Sequence, residues 1–245
     1  MNNIIESLMN RKSIRVFKKK EISKENKEII LKSATAAPTA GNQQLYTILD
    51  ITDQGLKDKL AVTCDNQPFI ATAPMVLVFC ADVKKWYDAF IEANAKPRQP
   101  GVGDLLLAVS DANIAAQNAV VAAESLMIGS CYIGDIMENR EEHKRLLNLP
   151  DWVFPAAMLV LGYPTQQQIE RQKPQRVDMP YIVHENGYQQ LKGKQLREMF
   201  DNKTGSKSYE EWMQAFCKRK YNSDFSQEMS RSVKGYLSEY LKNMQ

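Results

Sequence analysis

The middle of the chain contains 24 consecutive residues, from Asp104 to Met127, without a glycine or a proline. This segment is rich in Ala, Leu and Val, which predicts one long helix with Asp104 as its N-cap and Gly129 as its end. Apolar residues occur nearly all the way round the predicted helix, so other protein must cover most of its surface. A second subunit and the core of a single monomer satisfy this pattern equally well.

Helical and strand patterns alternate on both sides of that helix and predict a mixed α and β fold. Three short β-rich runs are expected to be strands of one buried sheet, at residues 46–51, 75–80 and 157–161.

Two helices are predicted ahead of the first strand. The apolar stripe of the first consists of Ile4, Ile5, Leu8 and Met9. Ser23 is expected to cap the second, which must end near Pro38. The inward residues of this second helix include Ile29, Ile30 and Ala34.

The chain after Pro164 is polar and irregular to about Gly187, which is too long for an ordinary connection and indicates a functional or surface-covering segment. Ser208 and Glu211 form a predicted capping box at the start of a helix. The apolar residues of this helix and of the last one are Trp212, Phe216 and Tyr221, then Met229, Val233, Tyr236, Leu237 and Tyr240. We expect a core over residues 1–190 and a helical extension over residues 191–245 that packs on the core or on a partner subunit.

Net charge argues against polyanionic partners. The chain has 32 Lys and Arg against 29 Asp and Glu, a net charge of +3, which is small for a nucleic-acid or membrane-surface binder. The most strongly apolar stretch, around residues 75–81, is too short to span a bilayer, and the N-terminus carries no signal-like apolar run. We therefore expect a cytoplasmic protein that binds neither nucleic acid nor membrane.

The four cysteines form no CxxC pair, and only two histidines could join them as metal ligands. Neither a metal site nor a disulfide framework is expected. Cys131 is expected to be a small buried apolar residue. His143 and His184 are expected to face solvent, because their sequence neighbours are polar.

Common catalytic motifs are absent from the sequence. It contains no GxSxG, HExxH or GxxxxGK[ST] pattern, and its only GxG, at Gly101 and Gly103, does not follow a strand pattern. If the protein is an enzyme, a bound cofactor is expected to carry the chemistry.

Three short segments nevertheless have groups that suit a flat, phosphorylated ligand. Residues 11–17 combine three cations with a hydroxyl, which can bind a phosphate. Residues 38–44 offer small residues and side-chain amides, and residues 129–134 place glycines on both sides of a short apolar run. Taken singly, each is better explained without a ligand, as a solvated turn or a helix cap.

Together and in this order, the segments resemble the FMN-dependent nitroreductase family. The family's opening R/H-x-S-x-R-x-F pattern is matched by Arg11, Ser13, Arg15 and Phe17. Its P-S/T-x-x-N-x-Q turn is matched by Pro38, Thr39, Asn42 and Gln44. Residues 66–69 and 132–134 are similar to the branch that contains NADPH-dependent flavin reductases and the larger bacterial nitroreductases, and the likeness runs from about residue 3 to residue 190.

This resemblance implies an α+β fold with a mostly antiparallel central sheet, and a homodimer with the long helix at its interface and FMN bound by both subunits. The implied phosphate ligands are Arg11, Lys12, Ser13, Arg15, Lys173 and Arg176. The residues that would reach the cofactor from the partner chain are Thr39, Asn42 and Gln44. The isoalloxazine ring would meet Gln67 and the backbone of Tyr132, Ile133 and Gly134.

Two positions depart from the branch pattern. Where the branch has K-P-R, this chain reads Lys173, Pro174, Gln175 and Arg176, which moves the arginine by one residue. Asp135 replaces the usual second glycine and brings a negative charge towards the expected ring site.

The implied activity is FMN-dependent NAD(P)H oxidation coupled to ping-pong reduction of nitroaromatics, quinones or free flavins, with no catalytic side chain. Lys203 and Lys207 match a loop where the branch places basic residues for the 2′-phosphate of NADPH, although exposed lysines on a solvated loop are the alternative. NADH stays open as a donor. Other readings are a flavin carrier or redox sensor without efficient turnover, a reductive dehalogenase on the same scaffold, and a binding protein without flavin.

Overall fold

The computed structural model describes residues 2–241, which form two compact units. The first comprises residues up to 171 together with those from 228 onward, and the second comprises residues 172–227. The predicted division into a core up to residue 190 and an extension after it stays a prediction, and residues 242–245 of that extension lie outside the described part.

The helices of the first unit, in chain order, are α1 (Asn3–Asn10), α2 (Lys24–Thr35), α3 (Gln54–Thr63), α4 (Pro68–Ala71), α5 (Lys84–Glu92), α6 (Val102–Ser125), α7 (Arg140–Leu147) and α8 (Gln166–Glu170). Its strands are β1 (Tyr46–Asp50), β2 (Met75–Asp82), β3 (Gly129–Ile133) and β4 (Val153–Gly162). Short 3-10 turns cover Ala40–Asn42 and Gly134–Met137. The second unit contains the 3-10 turn Met179–Tyr181 and helices α9 (Lys194–Glu198), α10 (Asp201–Thr204) and α11 (Tyr209–Lys220), and α12 (Asp224–Leu241) leads back into the first.

The four strands form one antiparallel sheet in the order β1-β2-β4-β3, which confirms the predicted fold class. Every residue of β2 and β4 is buried. Because side chains alternate along a strand, Leu77 and Phe79 enter the core on one face of the sheet, whereas Val76 and Val78 enter a second core on the other. The register shifts between Phe79 and Cys80, opposite Pro155, where the missing proline N–H interrupts the ladder.

Strand β3 extends the sheet beside β4 and was not predicted as a strand. Its register pairs Cys131 with Val160 and Ile133 with Met158. Cys131 is buried, as predicted. The four-residue run between Gly129 and Gly134 resembles a turn after a helix as much as a strand, and only the pairing with β4 distinguishes the two.

The long helix α6 confirms the prediction for the centre of the chain, but its ends differ from those expected. Gly101 is the N-cap, and Asp104 lies three residues inside, where its carboxylate accepts the Gly101 N–H at 2.7 Å. The helix ends at Ser125 because Met127 adopts a left-handed backbone conformation, and Gly129 already belongs to β3.

One face of α6 is buried against the sheet and α2. The buried alanines of this face are Ala108, Ala112, Ala115, Ala116, Ala119 and Ala123. The opposite side exposes Leu106, Leu107 and Ile114. By length and composition α6 could also cross a membrane, contrary to the expectation that no stretch is long enough, but a core helix of a soluble protein meets the same criteria.

The other predicted helices form, with one error in an inward face. Ser23 caps α2 by accepting the Asn26 N–H, and Ile30 and Ala34 are buried, whereas Ile29 is exposed. Ser208 and Glu211 form the predicted capping box of α11. In α12, Tyr236 and Tyr240 are buried, and Tyr236 packs edge-on against Phe154 of β4.

Candidate functional site

Residues 11–17, here called the arginine segment, run along the ends of β3 and β4. The Ile14 N–H donates to the Ser130 carbonyl at 2.9 Å, and Phe17 forms a bridge with Pro164. A Cβ atom on Gly129 would lie 2.5 Å from the Ile14 side chain, and one on Gly162 would lie 2.7 Å from the Phe17 ring. Both glycines are therefore required for this close approach.

The two arginines of this segment reach two of the other predicted site regions. The Arg11 guanidinium lies 6.0 Å from the centre of the Tyr132 ring, and the Arg15 guanidinium lies 5.9 Å from that of Phe69. The structure thus brings the arginine segment next to the end of β3 and next to Phe69, two residues after Gln67.

Neither arginine forms a salt bridge with a carboxylate among residues 2–241. The Nε atom of Arg11 is buried without a hydrogen-bond partner in the described part of the chain. A partly buried Glu124 faces Arg11, where burial raises the pKa of that carboxyl and the guanidinium opposes the rise. The site therefore contains positive charge and a donor that an anionic ligand could satisfy.

Lys12 has different partners from its two neighbouring arginines. Its ammonium group donates to the carbonyl oxygens of Ile169 and Arg171, at the C-terminal end of α8. Arg171 in turn donates to the Ser13 carbonyl oxygen, and the Gln168 side chain accepts the Arg15 N–H at 3.2 Å. The structure thus gives Lys12 a role in joining α8 to the arginine segment, not a free position for phosphate.

Residues 38–44, here called the 38–44 loop, are fixed by a buried aspartate of α6. Asp111 accepts hydrogen bonds from the Thr39 hydroxyl, from the Ala40 N–H at 3.1 Å and from the Leu45 N–H at 3.2 Å. The Thr39 oxygen itself accepts the Gln44 N–H at 2.7 Å. Sequence inspection missed Asp111, which appears there only as one polar interruption of an apolar helix.

The predicted loop residues are therefore not equivalent. The Thr39 hydroxyl is bonded to Asp111, and the Gln44 amide donates to the Thr35 carbonyl at 3.0 Å. Asn42 is exposed, and its side chain forms no hydrogen bond with other described residues. Asn42 is consequently the loop side chain most available to a ligand.

The predicted ring-binding residues lie at the end of β3 and at the start of α4. Gln67 precedes Pro68 as the N-cap of α4, and its amide donates to the Cys64 carbonyl at 2.8 Å. Tyr132 donates to the Gln117 side chain at 3.3 Å, and burial raises its pKa to about 12 against the opposing charge of Arg11. Ile133 is buried, and Gly134 is exposed where β3 passes into the 3-10 turn.

A buried histidine supports this turn, and the prediction that His143 faces solvent is wrong. His143 is fully buried, with Nδ1 2.9 Å from the Ile136 carbonyl and Nε2 2.8 Å from the Thr63 hydroxyl. Burial lowers its pKa. The available signal was its spacing of four residues from the apolar Leu147, which shares the buried face of α7. His184 is partly exposed, and its Nδ1 accepts the Gln189 N–H.

Glu138 is a second buried titratable group near the turn. It is 5% exposed, and its Oε1 has no hydrogen-bond partner among the described residues. Burial, followed by the nearby charges of Asp135, Asp65 and Glu228, raises its pKa to about 7. Asp135, the residue that departs from the branch pattern, is thus electrostatically coupled to Glu138.

The remaining predicted site residues belong to the second unit. Lys173 is partly exposed there, whereas Arg176, Lys203 and Lys207 are exposed. The Arg176 carbonyl oxygen accepts a hydrogen bond from Asn202 within the same unit. Their roles towards phosphate groups stay predictions.

Comparison with known proteins shows which family the chain belongs to. The sequence profile described as "Nitroreductase family" matches residues 8–163, which include the arginine segment, the 38–44 loop, Gln67 and Tyr132–Gly134. The chain belongs to the nitroreductase family. An "FMN reductase (NADPH)" of Bacillus subtilis is 31% identical over 99% of this chain and 97% of its own length.

Solved structures of nitroreductase-family proteins have the same fold. NfrA2 of B. megaterium superposes with a TM-score of 0.82 at 29% identity, and the match covers 98% of each chain. The NADPH:FMN oxidoreductase of Vibrio harveyi, solved in complex with NAD+, gives a TM-score of 0.75 at 28% identity, also over 98% of each chain.

The residues of this nitroreductase-family chain fit a flavin phosphate. Two arginines that form no salt bridge in the described structure, one with a buried unsatisfied donor, provide the donor set that a phosphate requires. The exposed Gly134 leaves the end of β3 open to a flat ring.

Proposed function

We propose that the protein is an FMN-dependent NAD(P)H oxidoreductase that reduces nitroaromatics, quinones or free flavins. The observation that supports this most directly is the position of Arg11 beside Tyr132 and of Arg15 beside Phe69, with no carboxylate in a salt bridge with either guanidinium among the described residues. The chain's membership of the nitroreductase family supports the same activity.

In this proposal, Arg11, Ser13 and Arg15 hold the FMN phosphate. A role of Lys173 and Arg176 towards the phosphate stays a prediction from the sequence. Guanidinium groups match phosphate oxygens two at a time, and their positive charge persists at every physiological pH. Lys12 contributes through the position of α8, since its ammonium group is already bonded to the carbonyl oxygens of Ile169 and Arg171.

Bound FMN supplies hydride acceptance from NAD(P)H and hydride transfer to a flat electron-poor acceptor in the same pocket. Gln67 and the Tyr132–Gly134 backbone orient the ring in this proposal. The positive charge of Arg11 and Arg15 favours the electron-rich reduced cofactor electrostatically. No side chain of this chain is assigned as a nucleophile.

The active unit in this proposal is a homodimer. The exposed side of α6 includes Leu106, Leu107 and Ile114, and the apolar residues of α1 are exposed as well. Apolar surface of this extent favours a protein partner. The partner subunit's 38–44 loop then completes each FMN site.

The electron donor in this proposal is NADPH or NADH, with Lys203 and Lys207 as the residues that would contact a 2′-phosphate. Both lysines are exposed on the second unit. The small net charge and the family membership support a soluble cytoplasmic enzyme.

The test begins with the absorbance spectrum of the purified protein. We expect a yellow protein, or a colourless one that acquires flavin bands on reconstitution with FMN. A protein that acquires none would exclude the proposal. Anaerobic stopped-flow mixing with NADPH or NADH should bleach the oxidised flavin rapidly, whereas a flavin carrier or redox sensor would show only slow bleaching.

A variant pair tests the assigned phosphate ligands. Combined Arg11→Ala and Arg15→Ala substitution should weaken FMN binding by at least about tenfold, because each charge-assisted hydrogen bond contributes about 1.5–3 kcal/mol. Exposed Arg145, whose ion pair with Glu142 lies on α7, provides the matched control as Arg145→Ala. Equal FMN affinity in both proteins would remove the arginine segment from the site.

A further inference from the structure

The 38–44 loop is held by the carboxylate of Asp111, which is not among the predicted site residues. We infer that Asp111 is the positioning residue of this loop, holding it in the one conformation in which it meets FMN. The inference rests on the proposed FMN-binding role of the loop.

The first observation is the pattern of hydrogen bonds that Asp111 accepts. Asp111 is 3% exposed, and both carboxylate oxygens are used: Oδ1 accepts the Ala40 N–H, and Oδ2 accepts the Thr39 hydroxyl and the Leu45 N–H. An ionised carboxylate only accepts hydrogen bonds, so it matches three converging donors. An asparagine would direct an NH₂ group towards at least one of them, and a buried donor would lose its partner.

The second observation is the backbone conformation of the 38–44 loop. Gly41, Asn42 and Gln44 have φ values of +55°, +57° and +51°, in the left-handed region. Glycine and asparagine tolerate this region, but glutamine rarely adopts it. Such conformations persist where surrounding contacts determine them, and here Asp111 and Thr39 bond to residues 40, 44 and 45 around them.

The third observation concerns which polar side chains of the loop remain available to a ligand. The Thr39 hydroxyl is used inside the network, whereas Asn42 beside it is exposed with its side chain unbonded in the described structure. Asp111 therefore acts on a ligand only through the loop. Its position on α6, the helix proposed to line the dimer interface, links the loop to the subunit contact.

The main experiment compares two buried aspartates of similar environment. Asp82 is 7% exposed and, like Asp111, accepts from a threonine hydroxyl, that of Thr47 at 2.6 Å, and from a backbone N–H, that of Lys85 at 3.2 Å. Asp111→Asn should raise the FMN dissociation constant at least about tenfold, and Asp82→Asn by less than about threefold. Thermal unfolding of the FMN-free proteins should show comparable losses in both variants.

The outcomes separate the inference from the proposed function. Wild-type protein that does not bind FMN would exclude the proposed function itself. Wild-type protein that binds FMN, with Asp111→Asn and Asp82→Asn weakened equally, would overturn the positioning role alone. Equal losses of melting temperature with unequal FMN affinities support it, since a merely structural aspartate would move both measurements together.

A second set of variants addresses the same point if Asp111→Asn does not fold. Thr39→Val removes the bridging hydroxyl, whereas Thr39→Ser keeps it. In FMN-free protein, hydrogen exchange at the amides of Ala40, Gln44 and Leu45 should be faster in Thr39→Val and near wild type in Thr39→Ser. Unchanged exchange in Thr39→Val would overturn the inference without any reference to activity.

The double variant distinguishes positioning from direct contact. If Asp111 and Thr39 act as one unit, Asp111→Asn with Thr39→Val weakens FMN binding no more than the larger single change. If the increase in the FMN dissociation constant of the double variant equals the product of the increases in the two single variants, Thr39 contacts FMN on its own. That result would overturn the role assigned to Asp111.

Discussion

The ammonium group of Lys12 lies 2.6 Å from the carbonyl oxygen of Ile169, at the end of α8, and also contacts the carbonyl oxygen of Arg171. Arg171 returns a hydrogen bond to the Ser13 carbonyl. Two positively charged side chains therefore join α8 to the arginine segment, which explains why a cation next to Arg11 need not bind phosphate.

Replacement of Lys12 should affect stability more than cofactor binding. Lys12→Met keeps the aliphatic stem but loses two partly solvated charge-assisted hydrogen bonds, so unfolding free energy should fall by about 1 kcal/mol. FMN affinity should stay within about threefold of wild type, in contrast to the Arg11→Ala and Arg15→Ala double variant. Denaturant titration and FMN fluorescence quenching measure the two effects. Unchanged stability with strongly weakened FMN binding would return Lys12 to the phosphate ligands.

The close contact between Gly129 and Ile14 predicts a steric effect. In Gly129→Ala, the new Cβ would lie 2.5 Å from Ile14 Cγ1, and such overpacking costs about 1–3 kcal/mol of unfolding free energy. The displaced arginine segment should also bind FMN less tightly. The control is Gly103→Ala in the first turn of α6, where no atom lies within 4 Å of the new Cβ. That change should leave stability unaltered or raise it by up to about 1 kcal/mol. Equal behaviour of the two variants would contradict the contact.

Local signals in the sequence were sufficient for three of the four strands, β1, β2 and β4, and for the long helix α6. Strands β2 and β4 follow from continuous apolar runs, and Ser23 and Ser208 mark helix starts by the chemistry of their side chains. The resemblance to a known family supplied the strand direction and the site residues.

What the sequence left undetermined depends on contacts between distant residues. β3 is a strand because β4 pairs with it, and Asp111 is functional in our proposal because Thr39 lies against it although 72 positions separate them. His143 is buried because Thr63 and Ile136 both offer it a partner. The pairing of β3 with β4 and the contact of Thr39 with Asp111 leave no periodic signal in the sequence. For His143, polar neighbours conceal the four-residue spacing from Leu147, so the sequence pattern places this histidine in solvent.

Glu138 predicts a pH dependence of stability with a definite sign. Its pKa rises from an ordinary 4.5 to about 7 in the folded protein, so the folded state retains a proton that the unfolded state has lost between these values. This group's contribution to stability is therefore present below about pH 4.5 and lost as pH rises through 7. Glu138→Gln, which is neutral throughout, should match wild type at the acidic end and exceed it above pH 7 by up to about 3 kcal/mol.

Urea unfolding of Glu138→Gln and wild type at several pH values measures this difference. Glu142→Gln is the control, because Arg145 lowers the pKa of the partly exposed Glu142 and its titration falls below this pH window. A difference between Glu138→Gln and wild type that does not change with pH would show that Glu138 does not titrate there. His143 acts in the opposite direction, since its lowered pKa favours the fold at higher pH, so the comparison with wild type is needed to isolate Glu138.

The exposed side of α6 provides a test of the proposed dimer. Leu106 is 61% exposed on α6, and Val62 on α3 is 63% exposed but lies outside the apolar side that we assign to the subunit contact. Leu106→Asp would bury an unpaired carboxylate in that contact, at a cost of several kcal/mol. Wild type and Val62→Asp should therefore migrate in sedimentation as species of twice the 27.9 kDa chain mass, and Leu106→Asp as the single chain. Because each FMN site in our proposal includes the partner subunit's 38–44 loop, Leu106→Asp should also lose FMN, whereas Val62→Asp should retain it. Monomeric wild type that still binds FMN tightly would contradict the shared site, and a dimeric Leu106→Asp would place the subunit contact elsewhere on the surface.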